Sequence, residues 1–328
     1  MFARPSAVLV LLLAFLSPSV VAQQGAQAPA IDLFDSRDRA VQTVIEASRS
    51  DRAEFRAQAI EAAQHIPDRA RPMVQLALED ENPAVRFAAL YVMGKLEFKG
   101  LERAVQPLWN QDQPAYIRAA VVYAADRCGF ARDELVSQMA SFLEDPDPSV
   151  RANAAFLLGE MGNDGAIAML RQAARQPAGD KHPPIRWQIL KIQVAEALAK
   201  LGDARGIDAI RAGAYSGYDE VRILSAQIAG RQGDQNFWGN LNNFLIEDPI
   251  EFRLAAAESL TRLGRPQGLG VLLEGASYDL ATVRAQAAFG LGQSSHALAK
   301  QALVQLLDDP AASVRLAAAA AVLEATAP

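Results

Sequence analysis

"EDPDPSVRANAAFLLGEMGND" (residues 144–164) admits two incompatible readings. Three carboxylates beside a Gly-x-x-Gly turn are material for a metal site, an acid/base pair or a phosphate loop. The same residues are also the punctuation between two helices: an acidic turn, a proline at a helix start and an apolar run with a glycine exit. Recurrence separates the two, because a catalytic cluster occurs once while a structural turn repeats.

The arginine of this stretch, Arg151, has counterparts along the chain. An apolar residue followed by arginine recurs at Arg56, Arg86, Arg118, Arg222, Arg253, Arg284 and Arg315. The successive spacings are 30, 32, 33, 71, 31, 31 and 31 residues. The 71-residue gap holds one further unit, "LKIQVAEALAKLGD", with Lys191 at the arginine position and an insertion, residues 177–184, before it. A period near 31 sustained over most of a chain is the mark of a repeat architecture.

Each unit reads as two helices. After the arginine, alanine-rich apolar positions recur three and four apart, the helical period. Gly159, Gly162, Gly202, Gly233 and Gly264 stand at or beyond the end of that run, where a left-handed cap needs no Cβ. Shorter amphipathic runs such as "LVSQMASFLED" fill the remainder. The fold class that follows is all-α, an α-solenoid of about nine stacked antiparallel helix pairs. Hydrophobic content of 51% with only 7% aromatics agrees, since alanine suits closely packed helices better than strands.

The carboxylates recur with the arginines. Asp80, Asp112, Asp145 and Asp309 stand six residues before their arginine, often with a proline following, which is helix-start chemistry. Prolines split Asp145 from Asp147 and no EF-hand spacing is present, so calcium is not expected there. "GEMGNDG" lacks the Lys-Ser/Thr of a phosphate loop. His65, His182 and His296 lie far apart in the chain, and no Gly-x-Ser-x-Gly elbow occurs. No cofactor, metal or catalytic residue is expected.

Before the repeats lies a different kind of segment. Arg4 precedes a ten-residue apolar stretch, Ala7–Leu16, and Val20 and Ala22 occupy small-residue cleavage positions. Residues 1–22 are the layout of a secretory signal peptide, too short in its apolar part to span a bilayer. Residues 23–35 read as a flexible lead-in and 36–326 as one repeat domain. The expected destination is the periplasm or the medium. The chain's net charge is −6, and the leader holds one arginine and no acid, so the remainder is more acidic still. That balance disfavours nucleic acid as a partner, and no stable membrane insertion is expected after cleavage. Cys128 is the single cysteine and reads as a buried small hydrophobe.

"DPDPSVRANAAFLLGEMGND" and its copies resemble HEAT repeats, in particular the short HEAT-like type first described in phycobilisome lyases. The resemblance covers Ser36 to Thr326. It implies a curved rod, about 90 Å long at roughly 10 Å per layer, with the arginine-bearing helices on the concave side. It also implies a ladder in which the recurring aspartates and arginines bond between neighbouring repeats. A HEAT-like family with a di-iron centre, the deoxyhypusine hydroxylases, carries paired His-Glu dipeptides; none occurs here, so that activity is not carried over.

Function is then expected on positions that the repeat leaves free. Five residues after the arginine, units two to four hold Tyr91, Tyr123 and Phe156, with Phe87 one turn earlier. These form a candidate aromatic stripe facing the groove, rimmed by Lys95, Arg127 and Glu160. The insertion offers Trp187 as a second anchor, against the alternative that it is buried beneath its own loop. Trp109 and Trp238 are expected in inter-repeat packing. The leading expectation is a non-enzymatic exported scaffold that binds a protein or peptide in its concave groove. An enzyme or enzyme accessory and a purely architectural envelope spacer are the alternatives.

Overall fold

The computed structural model describes residues 32–130, 135–177, 179 and 181–327; the leader, most of the lead-in and two residues of the insertion lie outside these. Among the described residues are eighteen α-helices and no strand. The first pairs are α1 (Arg37–Ala47) with α2 (Ala53–Ala62), α3 (Pro67–Ala77) with α4 (Pro83–Lys95), and α5 (Glu102–Val105) with α6 (Ala115–Cys128). The middle pairs are α7 (Leu135–Leu143) with α8 (Pro148–Met161), α9 (Ala166–Arg175) with α10 (Pro184–Lys200), and α11 (Ala204–Gly213) with α12 (Asp219–Arg231). The last are α13 (Trp238–Phe244) with α14 (Ile250–Arg262), α15 (Leu269–Ala276) with α16 (Ala281–Gly292), and α17 (Ala297–Leu306) with α18 (Ala312–Ala325).

The even-numbered helices carry the anchor arginines and pack side by side into one wall, with the odd-numbered helices behind them. Alanine makes the wall possible. Ala88, Ala119, Ala154, Ala226, Ala256, Ala288 and Ala318 are all wholly buried, and small side chains let neighbouring helix axes approach. Gly159 serves this packing rather than the cap expected of it. It lies inside α8, where a Cβ would stand 3.0 Å from the Cα of Ala197 on α10. Gly162, at φ 71°, takes the left-handed cap.

The helix starts divide the labour more finely than the sequence suggested. Asn82 and Asp147 are the N-caps, accepting from the amides of Ala84 at 2.9 Å and Ser149 at 2.8 Å, with Pro83 and Pro148 behind them. Asp80, Asp145 and Asp309 instead brace the preceding turn, each accepting from the amide two residues on at 2.8 Å. Asp112 takes no such role; its own amide donates to Asn110 at 3.2 Å.

The expected ladder holds in part. Arg56 meets Asp80 at 2.7 and 2.8 Å, and Arg284 meets Asp309 at 2.7 and 3.0 Å, each across to the next unit. Elsewhere the partner changes: Gln113 serves Arg86 at 3.1 Å, Glu247 serves Arg222, and Glu274 serves Arg253 at 3.3 Å. Arg118 and Arg151 lie instead over the rings of Phe142 and Trp187, at 5.6 and 5.1 Å. A second bond is more regular. Arg56, Arg86, Arg284 and Arg315 each donate to the carbonyls six and five residues earlier, at 2.7–3.2 Å, and Arg151 donates to the carbonyl of Asp145. The arginine thus ties its helix back to its own turn.

The wall does not end in an open rod. α18 packs against both α1 and α2, so the ninth unit returns to the first and the array is a closed ring. Nine units closing one turn require a rotation of about 40° per unit, the small constant angle that a solenoid accumulates. α18 is buried on several faces at once, from Val314 to Leu323, as befits a helix with neighbours on both sides. Arg37 fastens the junction: its guanidinium donates to the Thr326 hydroxyl at 2.7 Å, the Thr326 carbonyl at 2.9 Å and the His65 carbonyl at 3.0 Å. Arg39 adds an exposed ion pair with Asp308 at 3.1 Å.

Arg37→Ala leaves these part-buried acceptors unserved. Its unfolding free energy is expected to fall by about 1–3 kcal/mol, read from the urea midpoint, whereas Arg39→Ala should change it by less than about 1 kcal/mol. An unchanged midpoint for Arg37→Ala would show that the junction adds nothing to stability.

Candidate functional site

Contacts between even helices two places apart identify the inside of the ring. The rings of Tyr91 on α4 and Phe156 on α8 lie 5.3 Å apart, with α6 between their helices. Lys95 on α4 reaches Glu160 on α8 at 2.9 Å, and Arg262 on α14 reaches Glu324 on α18 at 3.4 Å. Side chains skip a neighbour in this way only on a concave face. Tyr91 and Phe156 at position five, and Lys95, Glu160, Arg262 and Glu324 at position nine, therefore point inward, the face that the family resemblance implied.

The aromatic residues do not form an exposed stripe, and here the expectation is corrected. Tyr123 is wholly buried and stacks on Tyr91 at 5.9 Å; Phe87 is also buried and packs on Tyr116 at 6.1 Å. Gly94 causes the sinking of Tyr123, since a Cβ there would stand 2.5 Å from the tyrosine ring. Phe87, Tyr91 and Phe156 nonetheless edge one cavity of about 280 Å³. α2 and α10 complete it with Glu61, Gln64, Gln193, Glu196 and Lys200, and Asn153 of α8 adds an amide.

Charges inside the ring are largely neutralised in pairs. Glu160 accepts from Lys200, from Lys95 and, at 3.3 Å, from the Tyr91 hydroxyl. Burial acts to raise the Glu160 pKa, but the hydrogen bonds and charges of Lys200 and Lys95 outweigh it and hold the carboxyl below its ordinary value. Glu196 is clasped by Arg231 at 3.1 and 3.2 Å. A chain of alternating charge thus runs from α4 through α8 and α10 to α12.

Glu61 stands apart. It occupies position five of the first unit, faces the cavity partly open to it, and its carboxylate makes no hydrogen bond or ion pair among the described residues. Burial without a compensating cation pushes its pKa from 4.5 up to about 7. Two aromatic faces, side-chain amides and an unpaired carboxylate in one concavity suit a cationic or amide-bearing group. Sequence reasoning missed Glu61 because the register was followed only from the second unit; extending it one unit upstream would have found it.

The remaining expected residues fall outside this site. Arg127 turns to Glu97 at 2.7 Å. Trp187 lies in the first turn of α10, buried beneath the insertion, with its indole donating to the Gly179 carbonyl at 2.9 Å. It packs beneath its own loop rather than standing exposed as an anchor would. Trp109 and Trp238 are 38% and 49% exposed, contrary to the packing role expected of them. His296 caps α17 by accepting from the Leu298 amide at 3.2 Å, as its place at a helix boundary suggested. Among the described residues no three His, Cys, Asp or Glu gather as metal ligands. Cys128 is buried as expected, and burial raises its thiol to about 11.

The family profile described as HEAT repeats matches residues 41–126, 110–182, 134–230 and 241–324. No curated protein matches the chain. Among solved structures, human deoxyhypusine hydroxylase in complex with glycerol is 17% identical, with a TM-score of 0.37, over 79% of this chain and 97% of that one. The complex of CpcE and CpcF of phycocyanin lyase from a Nostoc species is 17% identical, with a TM-score of 0.37, over 91% and 97%. Kap121p is 13% identical, with a TM-score of 0.38, over 86% and 37%.

Glu61 makes stability depend on pH in a calculable sense. Its folded pKa lies above its unfolded one, so its contribution is full below about pH 4.5 and is lost as the pH rises through about 7. Glu61→Gln, which stays neutral, should gain on the wild type across that window by about 1–3 kcal/mol and hold the difference above it. Urea midpoints at a series of pH values measure this; parallel curves would show that Glu61 is not desolvated.

Proposed function

Because the chain belongs to the HEAT-repeat family, in which the fold leaves the activity open, we propose that this protein is an exported, non-enzymatic scaffold that binds a polypeptide partner on the inner face of its ring. The cavity between α2, α4, α8 and α10 carries this reading. It offers the accessible parts of Tyr91 and Phe156 as apolar contact and Glu61 as an unpaired counter-charge, enough to receive one basic side chain of a peptide. The charged pairs that flank it, Lys95–Glu160–Lys200 and Glu196–Arg231, form a polar rim of the kind that surrounds a binding hot spot. Export is supported by the leader, residues 1–22, whose removal leaves an acidic repeat domain with no disulfide to form.

Phe156→Ala trims the cavity wall without touching the buried Tyr123. Affinity capture from envelope and culture fractions of the native host, with the full chain expressed there, should return a partner whose yield drops at least about tenfold with this variant, while its helical circular dichroism shows it still folded at the capture temperature. Equal recovery by both forms would overturn the inner-face site. Intact-mass measurement of the protein from the same fractions should show residues 1–22 removed; a retained leader would overturn the export.

A further inference from the structure

The short turns between the two helices of a unit all lie on one edge of the ring, and in units six to eight they carry large apolar side chains. Tyr215 and Ile246 each stand seven residues before their anchor arginine and are 79% and 86% exposed. Tyr278, Leu280 and Tyr218 join them on the same turns, Leu280 at 59% exposure. In the other arginine-bearing units the same register position is polar, held by Arg49, Glu79, Gln111, Glu144, Ser277 and Asp308, and unit eight carries its apolar side chains at Tyr278 and Leu280 instead. Nothing in the repeat's own packing asks for aromatic or aliphatic residues there, since six units manage with polar ones.

The three turns are neighbours in space. The Tyr215 hydroxyl accepts from Asn240 of the next unit at 2.9 Å, and Arg222 bridges from unit six to Glu247 of unit seven. At roughly 10 Å per layer the apolar row extends about 20 Å along the edge. Contiguous exposed apolar surface of that kind marks an interaction site.

Charge selects the partner. Asp219, Glu220, Asp248, Glu251 and Asp279 are exposed on the same three turns. The basic side chains of residues 214–222, 245–253 and 276–284 are the anchor arginines alone, and each is already engaged: Arg222 with Glu247, Arg253 with Glu274, Arg284 with Asp309. Arg222 also reaches Asp219 at 3.4 Å, whereas Glu220, Asp248, Glu251 and Asp279 have no ion-pair partner among the described residues, so the edge presents apolar side chains among mostly uncompensated carboxylates. Such a surface repels phosphates, whether of nucleic acid or of an anionic membrane, and repels a second copy of this acidic chain unless it meets a basic patch.

We propose that this edge docks a cationic, apolar segment of another polypeptide, its large side chains lying on Tyr215, Ile246 and Leu280 and its lysines or arginines meeting the surrounding acids. The surface is distinct from the inner cavity, on the rim and in the opposite half of the ring.

The probe is a fluorescein-labelled synthetic peptide in which leucines and lysines are arranged on opposite faces of a helix, titrated against the full chain and read by anisotropy. Tyr215→Ser with Ile246→Ser, and separately Asp248→Lys with Glu251→Lys, should each weaken binding at least about tenfold, because all four side chains are exposed and their replacement leaves the fold intact. Phe156→Ala should bind the peptide as the wild type does, and a peptide with glutamates in place of the lysines should not bind. Absence of binding by the wild type, equal affinity in the rim variants, or loss of binding only in Phe156→Ala would overturn the proposal. Sedimentation showing a wild-type dimer that Tyr215→Ser with Ile246→Ser dissociates would overturn it too, by assigning the edge to self-association.

Discussion

The bond from an anchor arginine back to the carbonyls of its own turn is the constraint on which the rest of this structure depends. In Arg56, Arg86, Arg284 and Arg315 one guanidinium nitrogen serves two carbonyls that the turn would otherwise leave open. That fixes how the wall helix leaves the turn, and so the angle between the two helices of a unit. The bond recurs in five of the nine units, counting that of Arg151, and a shared angle so repeated favours a uniform curve. In Arg56, Arg86 and Arg284 the other guanidinium nitrogens are left for the neighbouring unit, where the partner varies between Asp80, Gln113 and Asp309 while the turn bond persists.

Curvature then decides the chemistry of the inner face. In a gently curved rod, position five of each wall helix would meet solvent and a neighbour on either side. In a ring this tight, α4 and α8 approach across α6, and side chains from helices two places apart touch. Tyr123, on the helix between, is covered over, while Glu61, on the far side of α4, faces the cavity with no cation bonded to it. Identical register positions acquire different environments because they sit at different points of a closed circuit.

Period, helix pairing, the proline-led helix starts and the buried cysteine were all legible in the sequence, because each follows from local spacing. Closure was not, because it depends on an angle of tens of degrees that no single unit records. One hint was present: "RLAAAAAVLEA" in α18 has no polar face to turn toward solvent, unlike the capping repeat at the end of an open array. The burial of Tyr123 was foreshadowed by Gly94, whose missing side chain makes room for it, but only once the two helices are known to be neighbours. Trp187 was undecidable between anchor and packing, since a loop of unknown path lay before it. Tyr215 and Ile246 were readable by register alone; attention to the helices passed over the turns.

The junction of α18 with α1 and α2 also alters how such an array comes apart. A linear stack of repeats has two ends, and fraying begins where a unit has a single neighbour to lose. A circuit has no such unit, so the first opening anywhere must sacrifice two interfaces together. The nine pairs accordingly behave as one cooperative body rather than a series of nearly independent segments. Where the repeat array starts and stops, between α18 and α1, becomes an accident of connectivity: linking α18 to α1 and cutting at another turn leaves the same circle of contacts, with a different pair of helices first and last.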